Sequence, residues 1–261
     1  MARYRSYVLA QTLQEAYDLN QKKSSVIVAG NMWLRMCGLN KHTAVDLSLL
    51  GLNQIEETQD AFVLGAMVTL RQMETHAALD AAFGGVFAKA LAPIVGTQFR
   101  NGATLGGSVY SRFGFSDVSA LLLALDAEVV LFGRGAVKLA DYQKEVWDRD
   151  IITHIRISKG QKADVHSVRV SGTDIPTLVC AAAKSERGIR MVLGARPARA
   201  MIAADGLAPD ADENVFEEIA ARTPFGTNLR ASEAYRRKIA PVLMARAAKG
   251  CMEKEAQQHD R

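Results

Sequence analysis

The stretch Arg100-Asn101-Gly102-Ala103-Thr104-Leu105-Gly106-Gly107-Ser108 decides how this 261-residue chain is read. It sets a double glycine behind a polar, hydroxyl-bearing turn and ahead of a long apolar segment. Glycine has no Cβ to hold an anionic group away and reaches positive φ without steric cost, so consecutive N–H groups can converge on a phosphate oxygen. Thr104 and Ser108 add hydroxyls to the same patch. A plain turn or bulge uses the same residues, so the stretch alone leaves both readings open. A second glycine-bearing segment lies upstream, Val26-Ile27-Val28-Ala29-Gly30-Asn31-Met32-Trp33. Its β-branched run predicts a buried strand entering a tight turn, followed by Leu34-Arg35-Met36. With one glycine it does not match the G-x-G-x-x-G fingerprint of doubly wound dinucleotide-binding folds.

Composition describes an ordinary globular protein, with 49% hydrophobic and 23% charged residues. The length allows one large or two modest domains. A formal charge of +4 makes the chain mildly basic. Lysine and arginine do not alternate with aromatic residues, which argues against nucleic-acid binding; an anionic cofactor or an acidic partner suffices to explain the charge. No apolar run of 18 residues and no secretory leader is visible, so no membrane span is expected and the cytoplasm is the expected location. Cys37, Cys180 and Cys251 are too few and too scattered for a disulfide framework or a four-thiolate cluster. His42, His76, His154, His166 and His259 lack the spacing of a metal site.

Three units emerge along the chain. Residues 1–55 carry a helix around Thr12 to Leu19, with Thr12 and Glu15 in capping-box spacing, and strands at Val26 and Val45. In residues 56–160 a strand at Ala61 to Leu64 precedes a helix capped by Thr69, and a second helix spans residues 86–94. The double-glycine loop follows, then a buried helix over 118–125, a strand over 128–132, a hairpin turn at Gly133-Arg134-Gly135 and a closing strand marked by Ile151, Ile155 and Ile157. Residues 161–261 predict strands at 167–170, 178–183 and 191–195, then helices over 215–221 and 232–249, with a frayed polar end over 253–261. The fold class is α+β.

Further motifs fall into order with the two glycine loops: Val45-Asp46-Leu47-Ser48, Leu64-Gly65-Ala66-Met67-Val68-Thr69, Asp117, Leu123-Ala124-Leu125-Asp126-Ala127, and Leu229-Arg230-Ala231-Ser232-Glu233-Ala234-Tyr235-Arg236-Arg237. Together they resemble, over essentially the whole chain, the flavin-carrying medium subunit of the molybdenum hydroxylases, the xanthine dehydrogenase and carbon monoxide dehydrogenase family. The resemblance implies a two-lobed FAD-binding domain of the PCMH type, with lobes 1–55 and 56–160, followed by a C-terminal α+β domain over 161–261. One FAD clamp would be Ile27, Val28, Ala29, Gly30, Asn31, Met32, Trp33 and Leu34, facing a second made of Thr104, Leu105, Gly106, Gly107 and Ser108. Asp117 would bind the ribose or adenine side, or alternatively cap the helix that follows it. Ile94 and Ile152 would flank the cofactor, with core packing as their alternative. Arg169 would approach the polar edge of the isoalloxazine, with an exposed strand charge as its alternative.

The resemblance implies no catalytic residue and no metal on this chain. It implies a molybdopterin-binding large subunit and a [2Fe–2S] small subunit as partners, with NAD⁺ as one acceptor. The chain departs from the family where Met32 and Trp33 replace smaller polar residues and where Ser108 replaces the usual asparagine or aspartate. Two other readings follow: a scaffold that has lost FAD, and an independent flavin oxidoreductase with its own substrate pocket.

Overall fold

The computed structural model describes the backbone of residues 1–259 and the side chains of residues 1–253. The first elements are β1 (Arg3–Leu9), α1 (Leu13–Asn20), β2 (Ser25–Val28), a 3-10 turn (Leu34–Met36), β3 (Asn40–Asp46), β4 (Ile55–Glu57) and β5 (Ala61–Gly65). A helical stretch follows, with α2 (Leu70–Thr75), α3 (Ala77–Ala82), α4 (Val86–Leu91), α5 (Thr97–Gly102), α6 (Leu105–Ser111) and α7 (Asp117–Ala124). Next come β6 (Glu128–Leu131), β7 (Gly135–Lys138), α8 (Leu139–Tyr142), β8 (Ile152–Ser158) and β9 (Lys162–Val168). The last elements are β10 (Leu178–Ser185), β11 (Gly188–Gly194), β12 (Met201–Leu207), α9 (Glu213–Arg222) and α10 (Glu233–His259).

Two compact units share these elements. One comprises Met1–Gln72, Thr97–Ser111 and Glu128–Ile157; the other comprises Met73–Gly96, Arg112–Ala127 and Ser158–Arg261.

The first unit contains a parallel sheet in the order β1-β3-β2 and a mixed sheet in the order β4-β5-β8-β6-β7. The central β3 aligns Val45 with Val8 on one side and Ile27 on the other. Val45 packs with Ala10, Ala16, Leu47, Leu52 and Ile151 in one apolar cluster, which holds α1 on the sheet. Thr12 caps α1 as expected, its hydroxyl accepting from Glu15 N–H at 3.1 Å. The reciprocal half of the box is shifted: the Glu15 carboxylate accepts from Gln11 N–H at 2.8 Å. Thr69 and Gln72 close a full reciprocal box at the start of α2.

The second unit is built on an antiparallel sheet in the order β12-β11-β10-β9. β10 is buried from Leu178 to Ala183. Leu178, Cys180 and Ala182 pack with Phe216, Ile219, Leu243 and Met244 of α9 and α10. Small residues let the other face be covered too: the Cβ that Gly194 lacks would touch both Val179 and Ala120 of α7. Every residue of α7 is buried, as its apolar sequence predicts.

The pattern reading misses β1 and β12 and shortens α10, which continues through His259; residues 260–261 of the expected frayed end lie outside the described residues. β1 escapes because its outward positions alternate Arg3, Arg5, Tyr7 and Leu9, a mixture without clear polarity.

Candidate cofactor site

In the first unit the strand β2 runs into Ala29-Gly30-Asn31-Met32, and Asn31 takes a left-handed conformation with φ of 56°. No described residue accepts from the backbone N–H groups of Gly30, Asn31 or Met32. The Asn31 side-chain oxygen is buried and has no hydrogen-bond partner. Three successive backbone donors around a left-handed residue make a candidate anion seat, and the orphaned oxygen asks for a donor beside it.

The stretch Arg100 to Ser108 is a pair of short helices. Its first half ends α5, and Leu105 opens α6. The N–H groups expected to reach a phosphate are already spent: Leu105 donates to the Val68 carbonyl and Gly106 to the Ala66 carbonyl, both at 2.8 Å. Gly107 N–H points to the Thr104 hydroxyl at 3.3 Å, and the Ser108 hydroxyl donates to the Thr104 carbonyl at 2.8 Å.

The two glycines therefore have different reasons to be there. A Cβ on buried Gly106 would lie 2.8 Å from the Ala66 Cβ, so this glycine lets α6 pack against the end of β5. Gly107 is exposed, and a Cβ there would meet only the Thr104 hydroxyl, at 3.0 Å. Close approach of a ligand to α6 falls at Gly107.

The two glycine loops meet at Gly30 and Gly102. Both belong to the first unit, and a Cβ on Gly30 would fall 1.3 Å from the Gly102 carbonyl oxygen. Met32 lies on Gly102, whose own missing Cβ would sit 2.7 Å from the Met32 sulfur. The Trp33 ring meets Phe99 of α5 edge-on, with centroids 5.4 Å apart. The two residues that depart from the family pattern thus bind the first loop to the second. Ile152 is buried in β8, and Ile94 is half-buried beyond the end of α4, which stops at Leu91.

In the second unit Asp117 and Arg169 meet. Arg169 Nη2 donates to Asp117 Oδ1 at 2.5 Å, Nη1 to the Asp174 carbonyl at 2.6 Å, and Nε to Ser167 Oγ at 3.2 Å. Arg169 is therefore not the exposed strand charge of the alternative reading. Ser116, with its hydroxyl accepting from Ser119 N–H, caps α7; Asp117 is its first helical residue rather than its cap. Burial holds the Asp117 carboxyl above the ordinary carboxylate range, opposed by the Arg169 guanidinium.

A cavity of about 280 Å³ also lies in this unit, lined by Phe115, Ile175, Pro176, Pro197, Arg199, Asn228 and Arg230, among others. Its lining holds no carboxylate, imidazole or thiol. Sequence reasoning did not find it, because its walls come from four separated segments. Among the described residues no cluster of histidine, cysteine and acidic side chains could hold a metal, and no helix is long and apolar enough to cross a membrane.

Residues 2–159 match the family model of the FAD binding domain in molybdopterin dehydrogenase. The uncharacterized protein YgfM of Escherichia coli strain K12 is 28% identical over 218 residues, covering 82% of each chain. In structure the chain is similar to carbon monoxide dehydrogenase from Hydrogenophaga pseudoflava, with a TM-score of 0.85 at 20% identity, over 97% of this chain and 99% of that one. Reconstituted CO dehydrogenase from Oligotropha carboxidovorans gives 0.84 at 22% identity, over 97% and 98%. Quinoline 2-oxidoreductase from Pseudomonas putida 86 gives 0.82 at 22% identity, over 95% and 98%. At these identities the structural likeness establishes the fold.

Proposed function

Because this chain belongs to the family of FAD binding domains in molybdopterin dehydrogenases, we propose that it is the electron-transfer flavin subunit of a molybdenum-containing hydroxylase. It takes electrons from [2Fe–2S] clusters on a partner subunit and passes them to NAD⁺ or another acceptor, while a molybdopterin subunit oxidises the substrate. Residues 1–55 and 56–160 then form the two lobes of the FAD-binding domain, with 161–261 as the C-terminal domain.

The observation that carries this reading is the Gly30-Asn31-Met32 seat. Its three N–H groups await an anionic acceptor, while the buried Asn31 oxygen awaits a donor. FAD offers both, a pyrophosphate and hydroxyl-bearing ribose and ribityl chains, so the residues present fit the cofactor. Gly107 lets the ligand approach α6, and the Thr104 hydroxyl, which accepts from Gly107, keeps its proton to donate outward. Ile152, in the same unit, completes the proposed contacts.

When bound, the flavin supplies the conversion between single-electron and hydride transfer, and the protein supplies placement and electrostatics. The test is the visible spectrum of the purified chain prepared with FAD, together with iron and molybdenum analysis of the polypeptides that co-purify. One flavin per chain and both metals in the assembly are expected. A colourless chain would overturn the reading, and flavin without metal-bearing partners would favour an independent flavoprotein.

A further inference from the structure

The cavity of about 280 Å³ in the second unit has no part in the flavin reading. Its walls are bonded to one another. Ala195 N–H donates to the Gly114 carbonyl at 2.8 Å, and a Cβ on Gly114 would lie 2.5 Å from the Ala198 carbonyl oxygen, so a glycine lets these two walls close. Gly226 N–H donates to the Arg196 carbonyl at 3.0 Å and Arg196 Nη1 to the Pro224 carbonyl at 2.6 Å, which ties in the segment leading to Asn228 and Arg230. Asp174 Oδ1 accepts from Arg230 Nη2 at 3.1 Å and from Ile175 N–H at 2.7 Å, which joins that segment to the Ile175-Pro176 wall. A cavity braced in this way exists before a ligand arrives, which lowers the ordering cost of binding.

The polar side chains of the lining, Arg199, Asn228 and Arg230, offer donors. Asn228 Oδ1 accepts from Arg236 Nη2 at 2.7 Å and from Arg230 N–H at 3.0 Å, which fixes the amide's orientation. Its Nδ2 donates to no described residue. The Arg230 side chain is 22% exposed; Nη2 is held by Asp174, while Nε and Nη1 donate to no described residue. Arg236 has no carboxylate of its own, and the Arg230 charge adds to burial in lowering its pKa. An anion beside Arg230 relieves that repulsion. The rest of the lining is apolar and includes flat rings. Phe115 stacks on Phe113 with centroids 5.0 Å apart, and Ile175, Pro176 and Pro197 complete the surface. Such surfaces favour a planar ring over a free hydrated ion.

We propose that this cavity binds a small organic anion, an aromatic ring carrying one carboxylate or phosphate group. Arg230, Arg199 and the Asn228 amide hold the oxyanion, and Phe115 and Pro176 hold the ring. The volume lies at the lower end of the range for small-molecule pockets, about 300–1,000 Å³, which suits a single ring rather than a dinucleotide. With no carboxylate, imidazole or thiol in its lining, the site holds its ligand by charge and shape alone.

The experiment is titration calorimetry on the full chain, with and without FAD, using phenyl phosphate, benzoate, inorganic phosphate and uncharged benzyl alcohol as probes. Saturable binding of phenyl phosphate or benzoate is expected, the tighter of the two naming the acid group. It should exceed inorganic phosphate and benzyl alcohol by at least about tenfold, because each of those has only half of the ligand. Arg199→Gln and Arg230→Gln should each weaken it by roughly ten- to a hundredfold, the worth of a hydrogen bond to a charged group. Ala198→Phe, which puts bulk on an exposed lining residue and keeps both arginines, should abolish it. Arg199 is exposed, so Arg199→Gln decides the matter if Arg230→Gln, which also strips Asp174 of its partner, does not fold. No saturable binding of either ring anion, equal binding of inorganic phosphate, or binding that survives Ala198→Phe or Arg199→Gln would overturn the site. So would displacement of the probe by FAD, which would place the probe in the cofactor's own seat.

Discussion

Arg169 Nη2 lies 2.5 Å from Asp117 Oδ1, and each side chain is more than nine-tenths buried, so a cation and an anion 52 residues apart neutralise each other. Removing one member leaves the other buried and uncompensated, which typically costs about 3–5 kcal/mol. Arg169→Met and Asp117→Asn should each lower the urea midpoint strongly. The double variant should cost well below the sum of the two, because it strands no charge. Additive losses in a double-mutant cycle would show that the pair is not coupled. The same pair carries a pH signature. Burial raises the Asp117 pKa above its usual 3.8, so the folded state binds this proton more tightly than the unfolded chain does. Its contribution to stability is full below 3.8 and is lost as pH rises through the folded value. Stability measured upward from pH 3.8 should therefore fall less in Asp117→Asn than in the wild type.

A second titration runs the other way. His166 Nε2 lies 3.0 Å from Asp164 Oδ2 and 3.2 Å from Lys89 Nζ, joining β9 to α4, with Arg246 of α10 contributing a further positive field. Burial, then Lys89 and Arg246, lower the His166 pKa, and Asp164 opposes them without prevailing. The folded state then resists a proton that the unfolded chain accepts at about 6.5. Stability is present above that value and is lost as pH falls through the lowered folded pKa. His166→Gln should remove part of the acid-induced loss below pH 6.5, as read from thermal melts at successive pH values; an unchanged acid limb would exclude His166 as its source.

Arg236 is fully buried without a carboxylate. It donates to the carbonyls of Thr177, Gly226 and Ala231 at 2.8, 2.8 and 2.6 Å, and to Asn228 Oδ1 at 2.7 Å. Burial lowers its pKa, yet the planar fork ties the start of α10 to three loop carbonyls and one amide. Lysine has three donors around one atom and cannot span these four acceptors. Arg236→Lys should cost on the order of 3 kcal/mol, the sum of stranded acceptors at about 1–3 kcal/mol each after partial rescue, measured by denaturant unfolding. A loss within about 0.5 kcal/mol, as for surface substitutions, would contradict this role.

Local patterns made much of the fold legible. Capping residues Thr12, Thr69 and Ser232, the β-branched run into Gly30, and the apolar run of α7 all form what their sequence predicts. What could not be read is which distant group each residue meets. Gly106 looks like a phosphate cradle in sequence because its neighbour at Ala66 is 40 residues away, and its N–H is spent there. Asp117 looks like a cap because nothing local reveals Arg169. Met32 and Trp33 look like a departure until Gly102 and Phe99 stand against them. Periodicity and capping report local geometry; long-range pairing leaves no comparable trace in a single sequence.

The contact between the glycine loops makes the last prediction the most discriminating. Gly30 abuts a backbone oxygen, at 1.3 Å from its absent Cβ, whereas Gly102 abuts the end of a flexible side chain, the Met32 sulfur at 2.7 Å. A backbone cannot move aside without displacing its loop, but a methionine can change rotamer. Gly30→Ala should therefore destabilise the first unit by more than the typical overpacking cost of about 1–3 kcal/mol and abolish FAD retention. Gly102→Ala should fall at or below the lower end of that range, and adding Met32→Ala should recover most of the loss by making room for the new methyl group. Denaturant midpoints and bound flavin per chain, measured across the three variants, test the ordering. Equal damage from Gly30→Ala and Gly102→Ala, with no rescue by Met32→Ala, would mean that Met32 does not occupy the space that Gly102 leaves open.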